Sequence, residues 1–148
     1  MSKELTTLVW GLFLTLTFVG CRNEMPFDLV PISGKVAYED GGRIEAGSIV
    51  ITFNPIDAFA DGGVTPPGAQ AEVNVEDGAF SSVTTRRPGD GVLMGRHKVV
   101  VLSFDPRADG RPVASTAVPE QYRKVDTTPL AVEIAEANQF LEIKVARR

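Results

Sequence analysis

Apolar and polar residues alternate along much of the chain from Ile32 onward. In residues 32–38 and 130–134, every second residue is apolar or glycine, as in a strand with one buried face. Residues 96–104, RHKVVVLSF, are apolar on both faces in their middle, which is typical of a strand inside a sheet. The pattern therefore predicts a β domain in which residues 96–104 are the best candidate for a central strand.

Turn-forming residues separate these segments. Gly, Pro, Asp and Asn bend the backbone, and they cluster at 39–42, 55–68, 76–78, 86–91 and 136–139. About seven strands fit between these breaks, and no helical pattern follows the N-terminal region. We therefore expect an all-β fold, a seven-stranded antiparallel sandwich with Greek-key connections after an N-terminal signal helix; a small barrel is the alternative.

The N-terminal region has the layout of a signal peptide. Lys3 precedes the uncharged run LTTLVWGLFLTLTFV at residues 5–19. As a helix this run would be about 22 Å long, short of the roughly 30 Å hydrocarbon core of a bilayer. A cleaved signal is therefore predicted, and an uncleaved membrane anchor is the alternative.

Cys21 is the only cysteine, and it directly follows this apolar run. The sequence FVGC at residues 18–21 resembles the bacterial lipobox, in which a thiolate takes up a diacylglyceryl group before cleavage. The resemblance implies lipidation of Cys21, with a signal peptide at 1–20, a tether at 21–31 and a β domain at 32–148. A plain cleaved signal and a buried thiol are the other interpretations.

Composition limits the domain count and the partner classes. The 148 residues, of which 43% are hydrophobic, fit one domain with one core. The net charge is -4 with a pI near 5.0, and the fifteen basic residues are scattered. No footprint for nucleic acid is present, because a phosphate backbone needs clustered basic residues.

His97 is the only histidine, so acid–base or metal chemistry would have to involve it. Ser33, Ser48, Ser103 and Asp90 could formally complete a Ser-His-Asp site, but no nucleophile motif accompanies them. One histidine and one lipidated cysteine cannot supply four zinc ligands. We therefore predict a partly exposed strand histidine, no enzyme activity, no metal site and no cofactor.

Acidic residues in the turns suggest calcium binding as an alternative function, since carboxylates from several loops can converge on Ca²⁺. No calcium-loop motif is present, and Asp also favours turns by itself. A tight turn is the expected role of Asp90 between Gly89 and Gly91. The acidic residues concerned are Asp57, Asp61, Glu76, Asp77, Asp90, Asp105 and Asp109.

Phe59 and Tyr122 lie in the two longest loops, at 56–69 and 105–128. Exposed loop aromatics can stack on sugar rings or contact a protein partner, so both are possible ligand-binding residues. Covering the core is the alternative role, and for Tyr122 it is the favoured one, because VPEQY precedes a strand.

The order of these pieces resembles small bacterial lipoproteins with a carboxypeptidase-regulatory-like domain. The matching segments are ISGKVAYEDGGRIEAGSIVITFNP, VEDGAFS, PGDGVLMGRHKVVV, VPEQYRKVDTTPLAVEI and NQFLEIKV. The resemblance implies a transthyretin-like or immunoglobulin-like, non-catalytic sandwich. The hydroxyisourate hydrolase with this kind of fold uses several histidines and a C-terminal Tyr-Arg-Gly-Ser, whereas this chain has one histidine and ends in KVARR.

Together these features predict an exported envelope protein that a lipid on Cys21 holds to a membrane, facing the periplasm or the cell surface. Its β domain is expected to be a structural or interaction module with an envelope protein as partner. A carbohydrate- or calcium-binding domain is the alternative.

Overall fold

The computed structural model describes residues 27–56 and 65–147. These residues form strands and one short 3-10 helix, which confirms the all-β prediction. The strands are β1 (Leu29–Val30), β2 (Ile32–Tyr38), β3 (Ser48–Pro55), β4 (Ala69–Val73), β5 (Ala79–Phe80), β6 (Val92–Leu93), β7 (Gly95–Pro106), β8 (Pro112–Ala114), β9 (Ala131–Ile134) and β10 (Gln139–Val145). The 3-10 helix is Glu120–Arg123.

Eight of the strands form one sheet in the order β10-β2-β5-β4-β3-β7-β8, with β9 also paired to β7. β7 is the longest strand and has partners on both edges, β3 along one and β8 and β9 along the other. The prediction of a central strand at 96–104 is therefore confirmed. β1 and β6 form a separate two-stranded ribbon.

The strand count and the strand directions differ from the prediction. The described residues contain ten strands instead of about seven. Four of them, β1, β5, β6 and β8, have only two or three residues each, which is too few for alternation to reveal them in the sequence. β2 and β10 pair in parallel over seven residues, so the all-antiparallel prediction is wrong for this pair. Alternation shows which face of a strand is buried, and it does not identify the partner.

The core is built from the inward-facing residues of the long strands. Ile51 and Phe53 of β3 and Val99 and Val101 of β7 are fully buried. The alternate residues of β10 complete this layer: Leu141, Ile143 and Val145. Burying each such side chain contributes about 2 kcal/mol relative to leaving it in water.

Residues 115–130, which we call the strap, cover the core beside β7. Val118 and Tyr122 of the strap are buried. Thr128 Oγ1 donates a hydrogen bond of 2.7 Å to the Val99 carbonyl oxygen, and Lys98 Nζ donates one of 2.9 Å to the Thr128 carbonyl oxygen. These bonds fasten the strap along the first half of β7.

The C-terminal residues are attached to β2. The Arg147 guanidinium lies 4.1 Å from the centre of the Tyr38 ring, and Arg147 Nε donates a hydrogen bond of 2.6 Å to Asp40 Oδ2. This hydrogen bond from Arg147 lowers the pKa of Asp40, and a second one from the Gly42 amide adds to the effect. Tyr38 Oη in turn donates to the Ala117 carbonyl oxygen at 2.7 Å, which joins β2 to the strap.

Gly34 is required where β2 passes between β10 and Phe80. A methyl group on Gly34 would overlap the Leu141 carbonyl oxygen and the Phe80 ring. We expect Gly34→Ala to lower the free energy of unfolding by about 2 kcal/mol, because the strands would have to move apart. Urea denaturation measures the change. Ser33→Ala is the matched control, and an equal loss in both variants would contradict this role of Gly34.

Candidate functional site

The predicted signal helix and four candidate site residues, Cys21, Asp57, Phe59 and Asp61, lie outside the described residues. The described chain begins at Phe27, and Leu29 and Val30 already pair with Leu93 and Val92. Val30 also packs against the core. The last residues of the predicted tether therefore belong to the folded domain, although Pro31 separates them from β2.

Tyr122 lies in the 3-10 helix of the strap with only 4% of its surface exposed. Its Oη accepts a hydrogen bond of 3.1 Å from the Ala146 amide, just beyond the end of β10. The ring therefore covers the core between the strap and β10. Stacking on a sugar needs an open ring face, which this position does not provide.

The two long loops start at opposite ends of β7. The first loop leaves β3 at Pro55, which is opposite His97 near the start of β7. The second begins at Pro106, where β7 ends. Nine residues of strand, about 30 Å, separate these two points. The second loop then returns to the first half of β7, where Thr128 is hydrogen-bonded to Val99 and Lys98, on the edge of β7 opposite to β3.

His97 is buried, with 1% of its surface exposed, so the prediction of a partly exposed histidine is wrong. It shares the inward face of β7 with Val99 and Val101. Its Nε2 lies 2.9 Å from the Leu93 carbonyl oxygen, and its ring stands edge-on to Phe53 at 6.4 Å between centroids. A general base must reach its substrate, and this ring is enclosed by protein.

Asp90 organises the connection between β5 and β6. Its carboxylate accepts hydrogen bonds from the backbone amides of Thr85 at 2.7 Å, Arg86 at 3.0 Å and Arg87 at 2.9 Å. Burial raises the pKa of Asp90, but these backbone hydrogen bonds outweigh it and hold the pKa below its usual value. Asp90 is therefore a turn residue, as the sequence predicts.

Other acidic side chains also accept hydrogen bonds from the backbone, Asp77 and Asp109 within local turns and Asp105 across to the residue before β3. Asp77, Asp105 and Asp109 each accept a hydrogen bond from a backbone amide, of Ala79, Gly47 and Arg111 respectively. Among residues 27–56 and 65–147, no three His, Cys, Asp or Glu side chains are grouped to hold a metal ion.

An open groove on the outer face of β3 and β4, lined by both polar and apolar residues, was not predicted from the sequence. It encloses about 530 Å³, and a neighbouring groove of about 380 Å³ shares Gln70 and Thr84 with it. Outward polar residues at alternate positions of β4, Gln70 and Glu72, are the sequence signal for it. The remaining lining residues of the larger groove are Val50, Ala71, Ser81 and Ser82.

No protein-family model, curated protein or solved structure matches this chain. Within the part of the chain that the structure describes, no helix has the length and apolarity needed to cross a membrane. Function is therefore inferred from the residues and their geometry.

Tyr122→Phe tests the contribution of the tyrosine hydroxyl. Loss of the bond to the Ala146 amide should lower the free energy of unfolding by about 1 kcal/mol, whereas Tyr122→Ala should cost about 4 kcal/mol because it also leaves a cavity. Urea denaturation of both variants measures these values. Equal stability of Tyr122→Ala and the unchanged chain would contradict the buried position.

Asp90→Asn tests the turn that the carboxylate holds. Because folding lowers the pKa of Asp90, its contribution is present above the unfolded-state pKa of about 3.9 and is lost as the pH falls through the folded-state value. We expect a loss of about 2 kcal/mol at pH 7, and a much smaller difference from the unchanged chain near pH 2. Denaturation at both pH values measures it. Asp126→Asn, at an exposed strap residue, is the control; a pH-independent loss at Asp90 would contradict the role of its charge.

Proposed function

We propose that this chain is an exported lipoprotein, anchored through Cys21 to a membrane of the bacterial cell envelope and facing the periplasm or the cell surface. In this proposal the β domain is a non-catalytic structural or interaction module. The resemblance to lipoproteins with a carboxypeptidase-regulatory-like domain is part of the proposal.

The position of Cys21 carries the proposal. It is the only cysteine, it follows the fifteen uncharged residues 5–19 after one intervening glycine, and it precedes Leu29 by eight residues. Two acyl chains in a diacylglyceryl group on this thiol, or three if the α-amino group of Cys21 is also acylated, would hold the chain on a membrane at about 0.8 kcal/mol for each buried methylene. The first described strand, Leu29–Val30, therefore begins close to the residue that would carry the lipid.

The surroundings of the candidate reactive groups support a non-catalytic domain. His97 is enclosed in the core, and Ser103 lies six residues along the same strand, about 20 Å away. These two residues cannot act on one substrate. The curled sheet, with the strap over its core, is compatible with a transthyretin-like sandwich, although its first and last long strands run in parallel.

The alternative ligands have less support at the predicted residues. Tyr122 is a buried residue of the strap, and Asp77, Asp90, Asp105 and Asp109 already accept backbone hydrogen bonds. These contacts favour roles in packing and in turns over stacking on carbohydrate or coordination of calcium.

Intact-mass measurement and membrane fractionation of the chain expressed in a bacterium test the anchor. The mature chain should begin at Cys21, carry the mass of two or three acyl chains, and sediment with membranes. Cys21→Ala should lack the added mass and should keep residues 1–20, because the lipidated cysteine directs the cleavage.

Thr17→Ala is the matched control, since it leaves the run apolar and keeps the thiol. It should be lipidated like the unchanged chain. An unmodified thiol at Cys21 in a membrane-free chain would contradict the proposal.

A further inference from the structure

Exposed apolar side chains gather where the tether joins the domain. Five large apolar side chains are exposed in the described residues, and three of them lie near the segment Leu29–Pro31, which we call the tether junction. These three are Ile56 at 41%, Met94 at 41% and Phe140 at 62%, the most exposed of the five. The other two, Val113 and Val125, lie in β8 and in the strap.

Backbone pairing fixes Met94 and Ile56 beside the junction. Leu93 pairs with Leu29, and Met94 is the next residue. The Ile56 amide donates a hydrogen bond of 2.9 Å to the carbonyl oxygen of Arg96, two residues further along. Both residues therefore lie at the end of the domain where the tether enters, and both are exposed there.

Phe140 lies at the same end of the domain, beside Pro31. The Asn138 amide donates a hydrogen bond of 2.7 Å to the Pro31 carbonyl oxygen, and Phe140 follows two residues later. In the parallel pair of β2 and β10, Phe140 is in register with Ser33. The parallel direction is what places the start of β10, and so Phe140, beside the junction.

Two consecutive arginines add positive charge to this surface. Arg86 and Arg87 are exposed in the turn that the Asp90 carboxylate holds, and neither side chain forms an ion pair with a described residue. The turn ends at Gly91, which packs so closely on the Val30 carbonyl oxygen that a methyl group there would overlap it. The arginines therefore lie within a few residues of the junction.

The length of the tether limits how far this surface can lie from the membrane. The eight residues from Cys21 to Leu29 span about 28 Å at most, so a lipidated chain keeps the junction close to the headgroups. Arginine binds phosphate oxygens, and aromatic and apolar side chains enter the boundary between headgroups and acyl chains. Each arginine strengthens attraction to an anionic lipid surface about fivefold.

We infer that the surface formed by Ile56, Arg86, Arg87, Met94 and Phe140 docks on anionic phospholipid, so that the domain lies with its tether junction against the membrane. This inference takes the N-terminal anchor from the proposed function. The β7–β8 hairpin, about 36 Å from Gly95 along β7, then faces away from the membrane.

A single tryptophan reports which end of the domain contacts lipid. Trp10 is the only tryptophan in the chain, so Phe140→Trp in a Trp10→Phe background gives one fluorophore at the junction. Val113→Trp in the same background places a similarly exposed fluorophore at the distal hairpin. The full chain, lipidated or carrying Cys21→Ala, is combined with phosphatidylglycerol vesicles that contain brominated acyl chains, which quench nearby tryptophan.

We expect strong quenching and a blue-shifted emission for Phe140→Trp, and little change for Val113→Trp. Arg86→Gln with Arg87→Gln should lower the ratio of docked to undocked domain about 25-fold, which removes the quenching while the lipid keeps the chain on the vesicle. Arg107→Gln with Arg111→Gln, in the distal hairpin, is the matched control and should leave the quenching unchanged.

Failure of the docking inference and failure of the lipoprotein proposal give different results in this experiment. A lipidated chain that sediments with the vesicles but shows no quenching of Phe140→Trp, or equal quenching of both fluorophores, would overturn the docking inference and leave the anchor intact. Quenching of Phe140→Trp in a chain that retains Cys21 but carries no acyl mass would support docking and remove the lipoprotein proposal. A chain that neither carries lipid nor sediments with the vesicles would overturn both.

Discussion

The parallel pairing of β2 with β10 is the constraint on which the rest of the structure depends. It joins residues more than a hundred positions apart, from Gln139 opposite Ile32 to Val145 opposite Tyr38. Closing so long a loop costs conformational entropy, which the burial of Leu141, Ile143 and Val145 offsets. The close approach at Gly34 follows from the same pairing.

The same pairing also decides what lies beside the tether. Because the two strands run in the same direction, both begin at the end of the domain where the chain enters. Phe140 therefore lies next to Pro31, on the side where β6 holds Leu29 and where Asp90 holds the turn that carries Arg86 and Arg87. An antiparallel β10 would place Phe140 at the other end of β2. One choice of strand direction thus places Phe140 at the same end of the domain as the exposed arginines.

The sequence predicted features that depend on local pattern. The alternation in β2 and β10 and the apolar centre of β7 predicted an all-β fold. The position of Asp90 between two glycines predicted that it forms a tight turn. Strand partners were not predictable, because alternation is the same for either direction of pairing. The prediction of a partly exposed His97 was wrong because it rested on the lack of a catalytic motif, whereas the place of His97 in the alternation with Val99 and Val101 puts it inside.

Hydrogen exchange of the lipidated full chain, compared between phosphatidylglycerol and phosphatidylcholine vesicles, tests most directly whether the anchored domain lies with its tether junction on an anionic membrane. Docking predicts slower amide exchange on the anionic vesicles in residues 84–94 and 138–141, with no change in residues 106–114. Equal exchange at the junction on both kinds of vesicle, or slowing in residues 106–114 instead, would contradict it.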